Sequence, residues 1–398
     1  DKKEEIKKVA KMIEDNHLQL NPTDKIEDIS IGERQRVEIL KMLYRNVDIL
    51  ILDEPTAVLT PKEVDDLIAT LKLLKEQGKT IIVITHKLRE VMELADSITV
   101  LKHGNVVGDV LKQDTDEKEI ARMMVGRDVC LTVQNDRKHT VEKQVVYQVD
   151  NLNVLNDDGK KVINNVSFKV NKGEIFGIAG VEGNGQSELI KVLTGLMEAE
   201  SGNVILYGKN VTNRWPKELR KEGIGIIPED RYGTGLCREM SVSDNCIAGH
   251  HDNKEILKYG LYNSKKIDEI RDKYIDEFDI RLGDKNGVIG NLSGGNAQKV
   301  IIARELASKP KILMACQPTR GVDIGSIEFI HNEILKFRDQ GNTVILVSSE
   351  LSEIMSLSDR VIVMYKGQIT GEISPTEVST VEIGLLMAGI KGENKHEK

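Results

Sequence analysis

Asp53 and Glu54 stand side by side after a short apolar run, Ile49-Leu50-Ile51-Leu52, and Pro55 follows at once. Two adjacent carboxylates suit phosphoryl chemistry, in which one holds Mg²⁺ and the other orients or deprotonates a water. That chemistry needs them at the carboxyl end of a strand, where ligands of open α/β sheets bind. The run before them reads as such a strand, buried on both faces of a parallel sheet, and Pro55 cannot continue it. Taken alone, the pair equally suits the first turn of a helix, where the dipole attracts acids.

The flanking elements are those of an α/β unit. Residues 1–20 carry a helical stripe of Ile6, Val9, Met12 and Ile13, broken at Asn21-Pro22. A helix over about 32–45 leads into the acid-ended strand. An amphipathic helix over 62–77 follows, closed by Gly78, and TIIVITH (80–86) reads as a second buried strand that delivers His86. A helix, a strand and a turn at His103-Gly104 complete the unit.

This unit occurs twice. A register shift of 263 lays Asp28 to Gly32 on Asn291 to Gly295, and Asp53-Glu54-Pro55-Thr56 on Cys316-Gln317-Pro318-Thr319. It also lays Gly78 on Gly341, His86 on Ser349, Asp96 on Asp359 and Gly104 on Gly367, without a gap. The second copy is longer on its N-terminal side. Alternating strands begin near Lys143, an apolar strand covers 175–178, and a Gly-rich turn opens a helix. The expected organisation is α/β throughout: 1–125 as the C-terminal part of a first domain, 126–142 as a short polar linker and 143–398 as a second domain. Ser187 precedes Ser293 by 106 residues, so an equivalent phosphate loop in the first copy would fall before residue 1. The chain also opens DKKEEIKK without a Met. It is therefore expected to be N-terminally truncated, with the first domain incomplete.

Composition narrows the class. At 398 residues the chain has room for two domains, and 39% hydrophobic with 30% charged residues is ordinary for a soluble globular protein. A net charge of −8 and 4% aromatics argue against a general nucleic-acid binder. No apolar run approaches a membrane span and no signal peptide is present, so any membrane component belongs to another chain. Cys130, Cys237, Cys246 and Cys316 are widely spaced, which fits a reduced, cytosolic compartment without zinc or disulfides.

Two further stretches could bind phosphate. Gly180-Val-Glu-Gly183-Asn184-Gly185-Gln186-Ser187 has the P-loop spacing, with Gln186 in place of the lysine. Backbone N–H groups and a helix N-terminus would cradle phosphate there, and Ser187 could hold Mg²⁺. A tight strand-to-helix turn is an equal reading of these residues. Ser293-Gly294-Gly295, with Gln298 one turn on, opens a second helix with donors and a hydroxyl suited to an anion.

Through SIGERQRVEILKMLYR, DEPTAVLTP, IPEDRYGTGL and QPTRGVD the chain resembles the ATP-binding-cassette (ABC) ATPases. More narrowly, it resembles the tandem-domain ATPase of bacterial simple-sugar and nucleoside importers. The resemblance implies two P-loop NTPase domains of ABC type that pair head to tail, with ATP and Mg²⁺ as ligands. It implies a peripheral subunit at the cytoplasmic face of the plasma membrane, working with integral-membrane permease subunits and, indirectly, an extracytoplasmic solute-binding protein. In one site Asp53 would hold Mg²⁺ through water, Glu54 would act as general base, His86 would contact the γ-phosphate, and Ser293, Gly294, Gly295 and Gln298 would close over the nucleotide. The other site would use Gly180, Gly183, Asn184, Gly185, Gln186, Ser187 and Glu229, with Ser30 and Gly32 from the first signature. There the pattern is damaged: Gln186, Glu229, Cys316, Gln317 and Ser349 replace the family's Lys, Gln, Asp, Glu and His. That site is therefore expected to bind nucleotide and hydrolyse it poorly. The damaged second acid pair and the GTGL stretch lean the solute towards nucleosides. Two alternatives are a soluble tandem ABC protein acting on ribosomes or DNA, and a non-catalytic remnant. The short linker, acidic balance and lack of zinc or heptad insertions disfavour the former.

Overall fold

The computed structural model describes residues 2–390 apart from 17, 19, 27, 28, 30, 57, 58, 60, 103, 129–132, 138, 140, 259 and 388, with backbone alone at 31, 32, 61, 258, 380 and 381. The chain divides into two compact units, Asp1–Val129 and Cys130–Lys398.

In the first unit, helix Ile31–Tyr44 runs into strand Ile49–Asp53, helix Pro61–Glu76 follows, and strand Thr80–Ile84 lies parallel to the first strand, Asp53 beside Ile84. Helix Leu88–Leu94, an antiparallel hairpin of Ser97–Lys102 with Asn105–Leu111, and helix Glu117–Val125 complete it. The core gathers Leu50 and Leu52 with Ile39, Leu67, Leu71 and Leu74 from the helices. The expectation that both strands are buried on both faces is corrected here. Leu50 and Leu52 are buried, but Ile49 and Ile51 are 59% and 63% exposed, and Ile82 and Ile84 on the neighbouring strand are also open. The described helices of this unit pack one face of the pair, so alternate side chains point outward.

The second unit holds the counterpart at the same offset throughout. Helix Gly294–Ala307, strand Ile312–Cys316, helix Ile324–Asp339, strand Thr343–Ser348, helix Leu351–Leu357 and strands Arg360–Tyr365 and Gln368–Ile373 each begin 263 residues after their first-unit equivalents. The backbone repeats too: Glu54 and Gln317 both take φ +46°, and Asn46 and Lys309 take +50° and +52°. In this unit Ile312–Cys316 is buried along its whole length. It sits second in a six-stranded sheet, Ile224–Ile227, Ile312–Cys316, Thr343–Ser348, Ile175–Ala179, Arg360–Tyr365 and Gln368–Ile373, parallel except for the last strand. One face packs on helix Gly294–Ala307 and its neighbours. The other packs on helix Gln186–Leu193 and a four-stranded antiparallel sheet led by Glu142–Leu155 and Lys161–Lys172.

The region expected as a linker is anchored, in its described part, to the second unit. Asn135 is 3% exposed; its amide donates to Leu357 O at 3.0 Å and Asp359 Oδ1 at 2.7 Å, and its carbonyl oxygen accepts from the Arg338 guanidinium at 3.1 Å. A polar stretch buried in this way is a set of satisfied hydrogen bonds, which composition alone does not reveal. Within residues 250–290, helix Ser264–Glu277 follows a small hairpin, Leu257–Lys258 with Leu261–Tyr262. Among the described residues no helix is long and apolar enough to cross a membrane.

Candidate nucleotide sites

Strand Ile49–Asp53 ends on its acid, and the chain turns sharply at Glu54, a non-glycine residue at φ +46°. Such a residue costs about 1 kcal/mol or more and persists where its surroundings determine it. Here the Glu54 N–H donates to Ile84 O at 2.8 Å, tying the turn to the end of the neighbouring strand. The same strand end delivers His86, whose Nδ1 lies 2.7 Å from Glu54 Oε1. Both side chains are partly open, at 30% and 39% exposure, and Asp53 is exposed beside them. Behind them Thr56 donates its hydroxyl to the buried Glu90. An accessible acid pair with an imidazole on one member can hold a hard cation through oxygen and move a proton to or from water. The carboxylate oxygens of Asp53 and Glu54 are of the kind that fit Mg²⁺ together with phosphate oxygens; among the described residues no cluster of three or more His, Cys, Asp or Glu is found.

At the matching place in the second unit the chemistry differs while the backbone does not. Gln317 N donates to Val347 O at 2.7 Å, as Glu54 does to Ile84. Gln317 Oε1 accepts from Ser349 N at 3.1 Å and Ser349 Oγ at 3.2 Å, where the first unit pairs Glu54 with His86. Cys316, where Asp53 would be, is 1% exposed, and burial, with Glu229 nearby, pushes its thiol up, so it stays protonated and apolar. A buried thiol does not fit a hard divalent cation, and the Gln317 amide oxygen is taken up by Ser349. Thr319 and Glu353 repeat the Thr56–Glu90 contact at 2.9 Å, and His331 Nε2 adds a second contact to the same oxygen at 2.9 Å.

The Gly-rich turn lies against this strand end, and Gly180, Gln186, Ser187, Glu229, Cys316 and Gln317 line one small cleft. Gly183 and Gly185 take φ +88° and +101°, and a Cβ on Gly185 would meet Ile163 Cδ1 and Val162 O at 3.0 Å. Ser187 opens its helix and donates to Glu229 Oε2 at 2.6 Å, so the residue in the Q-loop position and the phosphate-turn hydroxyl are brought together. Two residues of this turn serve structure. Gln186 is 7% exposed and folds its amide back to Val181 O at 3.2 Å, while Asn184 Oδ1 accepts from Lys366 N at 2.9 Å. Both amides brace the turn, whose backbone N–H groups are the ones its spacing assigns to phosphate.

Ser293 caps the second signature helix, with its hydroxyl accepting from the Asn296 side chain at 2.9 Å, and lies at the surface. Gly295 is buried, and a Cβ there would run into Ser326 Oγ and Asp323 Oδ2. Gln298 lies inside the unit. It is 1% exposed, with Oε1 accepting from Arg231 Nε at 2.9 Å and Nε2 donating to Pro318 O at 2.9 Å. Both ends of the amide are committed inside the unit. In the first signature, Ser30 lies outside the described residues, and Gly32 is seen as backbone in helix Ile31–Tyr44.

The family model described as ABC transporter matches residues 1–57 and 163–320. The chain belongs to the ABC transporter family. It is 42% identical over 383 residues to the nucleoside import ATP-binding protein NupA of Lactococcus lactis subsp. cremoris, covering 96% of this chain and 75% of that one. It is 43% identical over 370 residues to the glucose import ATP-binding protein TsgD13 of Haloferax volcanii, covering 92% of this chain and 66% of that one. Its structure is similar to the ADP conformation of MJ1267, an ATP-binding cassette of an ABC transporter, with a TM-score of 0.50 and 28% identity over 62% of this chain and 96% of that one.

Within this ABC transporter chain, three residues of the second site escape motif reading. Glu182 sits inside the Gly-rich turn, and Arg320 extends from the loop after Cys316-Gln317, its guanidinium 3.4 Å from both Glu182 and Glu229. Arg231 spans the two loops, donating to Gln298 and, at 2.7 Å, to Arg320 O. Burial lowers the Arg231 guanidinium from the usual arginine range, and an arginine in a protein stays charged. The arginine in QPTRGVD was visible in the sequence, but its carboxylate partners lie 91 and 138 residues away.

Proposed function

We propose that this chain is the ATP-binding subunit of an importer for nucleosides or simple sugars, with two ABC cassettes in tandem of which one set of residues hydrolyses and the other binds. The reading is supported by relatives named for nucleoside and glucose import at similar identity. It works peripherally at the cytoplasmic face of the membrane, with permease subunits that carry the solute path and a solute-binding protein that delivers to them. The GTGL stretch and the altered second acid pair favour a nucleoside.

One observation carries the asymmetry. Glu54 pairs with His86 at 2.7 Å beside an exposed Asp53, whereas 263 residues later the same backbone carries Cys316, Gln317 and Ser349. Asp53 would hold Mg²⁺, Glu54 accepts the proton of the attacking water, and the His86 Nδ1–H donates to Glu54 and orients it, leaving Nε2 towards the γ-phosphate side. Mg²⁺, when bound, supplies charge neutralisation on the phosphates. Gln317 has no basic site for that proton, and Cys316 offers no hard ligand, so the second set of residues holds nucleotide without turning it over. Ser293, at the surface, and the half-buried Gly294 serve turnover by offering a hydroxyl and N–H groups at a helix start.

The test is phosphate release from Mg·ATP by the intact transporter. Glu54→Gln lowers it about 100-fold or more, and Ser293→Arg does the same. Retention of the wild-type rate in Glu54→Gln overturns the assignment. Uptake of labelled nucleoside against labelled glucose decides the solute.

A further inference from the structure

We propose that Arg320 is the phosphate-binding cation of the second nucleotide site, supplying the charge that Gln186 lacks. The proposal rests on the reading of the 180–187 turn as a nucleotide site.

A P-loop places a lysine against the β- and γ-phosphates. At that position this chain has a neutral amide turned inward to Val181 O. The mouth of the turn is also acidic: Glu182 belongs to the turn, and Glu229 holds the Ser187 hydroxyl at 2.6 Å. A polyphosphate brought beside two uncompensated carboxylates is repelled. Arg320 is the cation the structure places against both. Its Nη1 is 3.4 Å from Glu229 Oε1, and its Nη2 is 3.4 and 3.5 Å from the two oxygens of Glu182. These contacts are long, and the side chain is 50% exposed. Ion pairs of that kind contribute little, so the guanidinium can leave a carboxylate for a phosphate, whose oxygens match its planar fork.

The backbone beneath Arg320 is fixed while its side chain is not. Arg320 O accepts from Arg231 Nη2 at 2.7 Å, Arg231 Nε donates to Gln298, and Gln298 Nε2 holds Pro318 O two residues before. Arg231 has its Nε and Nη2 committed to this frame. Arg320 therefore waits between Glu182 and Glu229 and transfers to the nucleotide's phosphates, while Ser187 exchanges Glu229 for the bound ligand.

Equilibrium binding of Mg·ATP to the full chain, read by displacement of a fluorescent ATP analogue, tests this. Arg320→Ala is expected to weaken binding about tenfold or more, and Arg320→Lys to recover part of the loss. Glu182→Gln, which frees the guanidinium and removes a repelling charge, is expected to tighten binding, a sign that a merely structural role for Arg320 does not produce. Gly185→Val, which blocks the turn, separates the two claims. If it abolishes binding while Arg320→Ala binds as the wild type does, the role of Arg320 is wrong and the site stands. If it leaves binding unchanged, the turn is not the nucleotide site and both readings fall. Weaker binding in Glu182→Gln makes Glu182 a ligand and also overturns the proposal. Thermal unfolding of each variant confirms that the exposed substitutions leave the fold intact.

Discussion

Two residues 263 positions apart, Glu54 and Gln317, share a backbone angle of +46° and a hydrogen bond to the neighbouring strand, and differ in what their side chains can do. The strain is kept in both copies, while the proton acceptor is present in one. Their neighbours diverge more. Asp53 is open to solvent, whereas Cys316 lies in a strand buried along its whole length among Ile178, Met314, Ile345 and Val347. Restoring the acid by Cys316→Asp therefore buries a carboxylate with no counter-charge prepared for it. We expect that substitution to destabilise the second unit by about 3 kcal/mol or more, seen as a lower denaturant midpoint, and not to create hydrolysis by itself. An unchanged midpoint would mean that the strand end can take up water.

At the scale of elements, the anchored stretch and the helix ends around it carry measurable energy. Asn135→Ala removes an amide that serves Leu357, Asp359 and Arg338 at once and leaves those groups buried. A loss of about 2–3 kcal/mol follows, readable as a shift in the denaturation curve. A second cluster lies where helix Gly294–Ala307 meets the 235–250 region. Glu305 is fully buried; burial pushes its carboxyl up, but Arg220 and Arg304 more than offset this and hold it below the usual carboxylate range. Its stabilisation is present at neutral pH and is lost as pH falls below about 4.5 and through the lower folded value. His250 faces Glu305, Arg220, Arg304 and Asp252, and burial holds its imidazole below the ordinary value of 6.5. The unfolded chain therefore takes up that proton first, and stability falls as pH drops below about 6.5. Replacing His250 with Gln is expected to flatten the denaturation midpoint between pH 7 and pH 5. A slope that persists unchanged would place the titration elsewhere.

The elements were legible because their signals are local. Caps, glycines at the helix ends and apolar runs recur at one spacing, and the structure starts its strands and helices at that spacing. What was not legible depends on partners far along the chain. The strand run Ile49–Leu52 looks the same whether one face or two are covered, and only packing shows Ile49 and Ile51 exposed. Gln186, Asn184 and Gln298 match positions where a motif suggests ligand contact, yet each amide is used to brace a loop. Arg320 was read as part of a motif, and its carboxylate partners lie in two other loops.

For the whole molecule, duplication explains both the sameness and the difference. A repeated backbone preserves the strand ends, turns and helix starts, and the side chains at its strand ends differ: Asp53, Glu54 and His86 in one copy, Cys316, Gln317 and Ser349 in the other. In the transport ATPase proposed above, turnover need come from one set of residues only. Mutating the second set should then affect nucleotide affinity and leave the rate per bound transporter nearly unchanged. A parallel titration of Mg·ATP occupancy and rate in Arg320→Ala checks this: the half-saturation concentration rises and the plateau stays.

The most direct measurement is phosphate release from Mg·ATP by the intact transporter carrying Glu54→Gln or Gln317→Ala, compared in the same preparation. Glu54→Gln is expected to lose turnover about 100-fold or more, and Gln317→Ala to stay within about threefold of the wild type. The reverse pattern, with turnover lost in Gln317→Ala and kept in Glu54→Gln, would place hydrolysis at the second set of residues and contradict the role of Glu54.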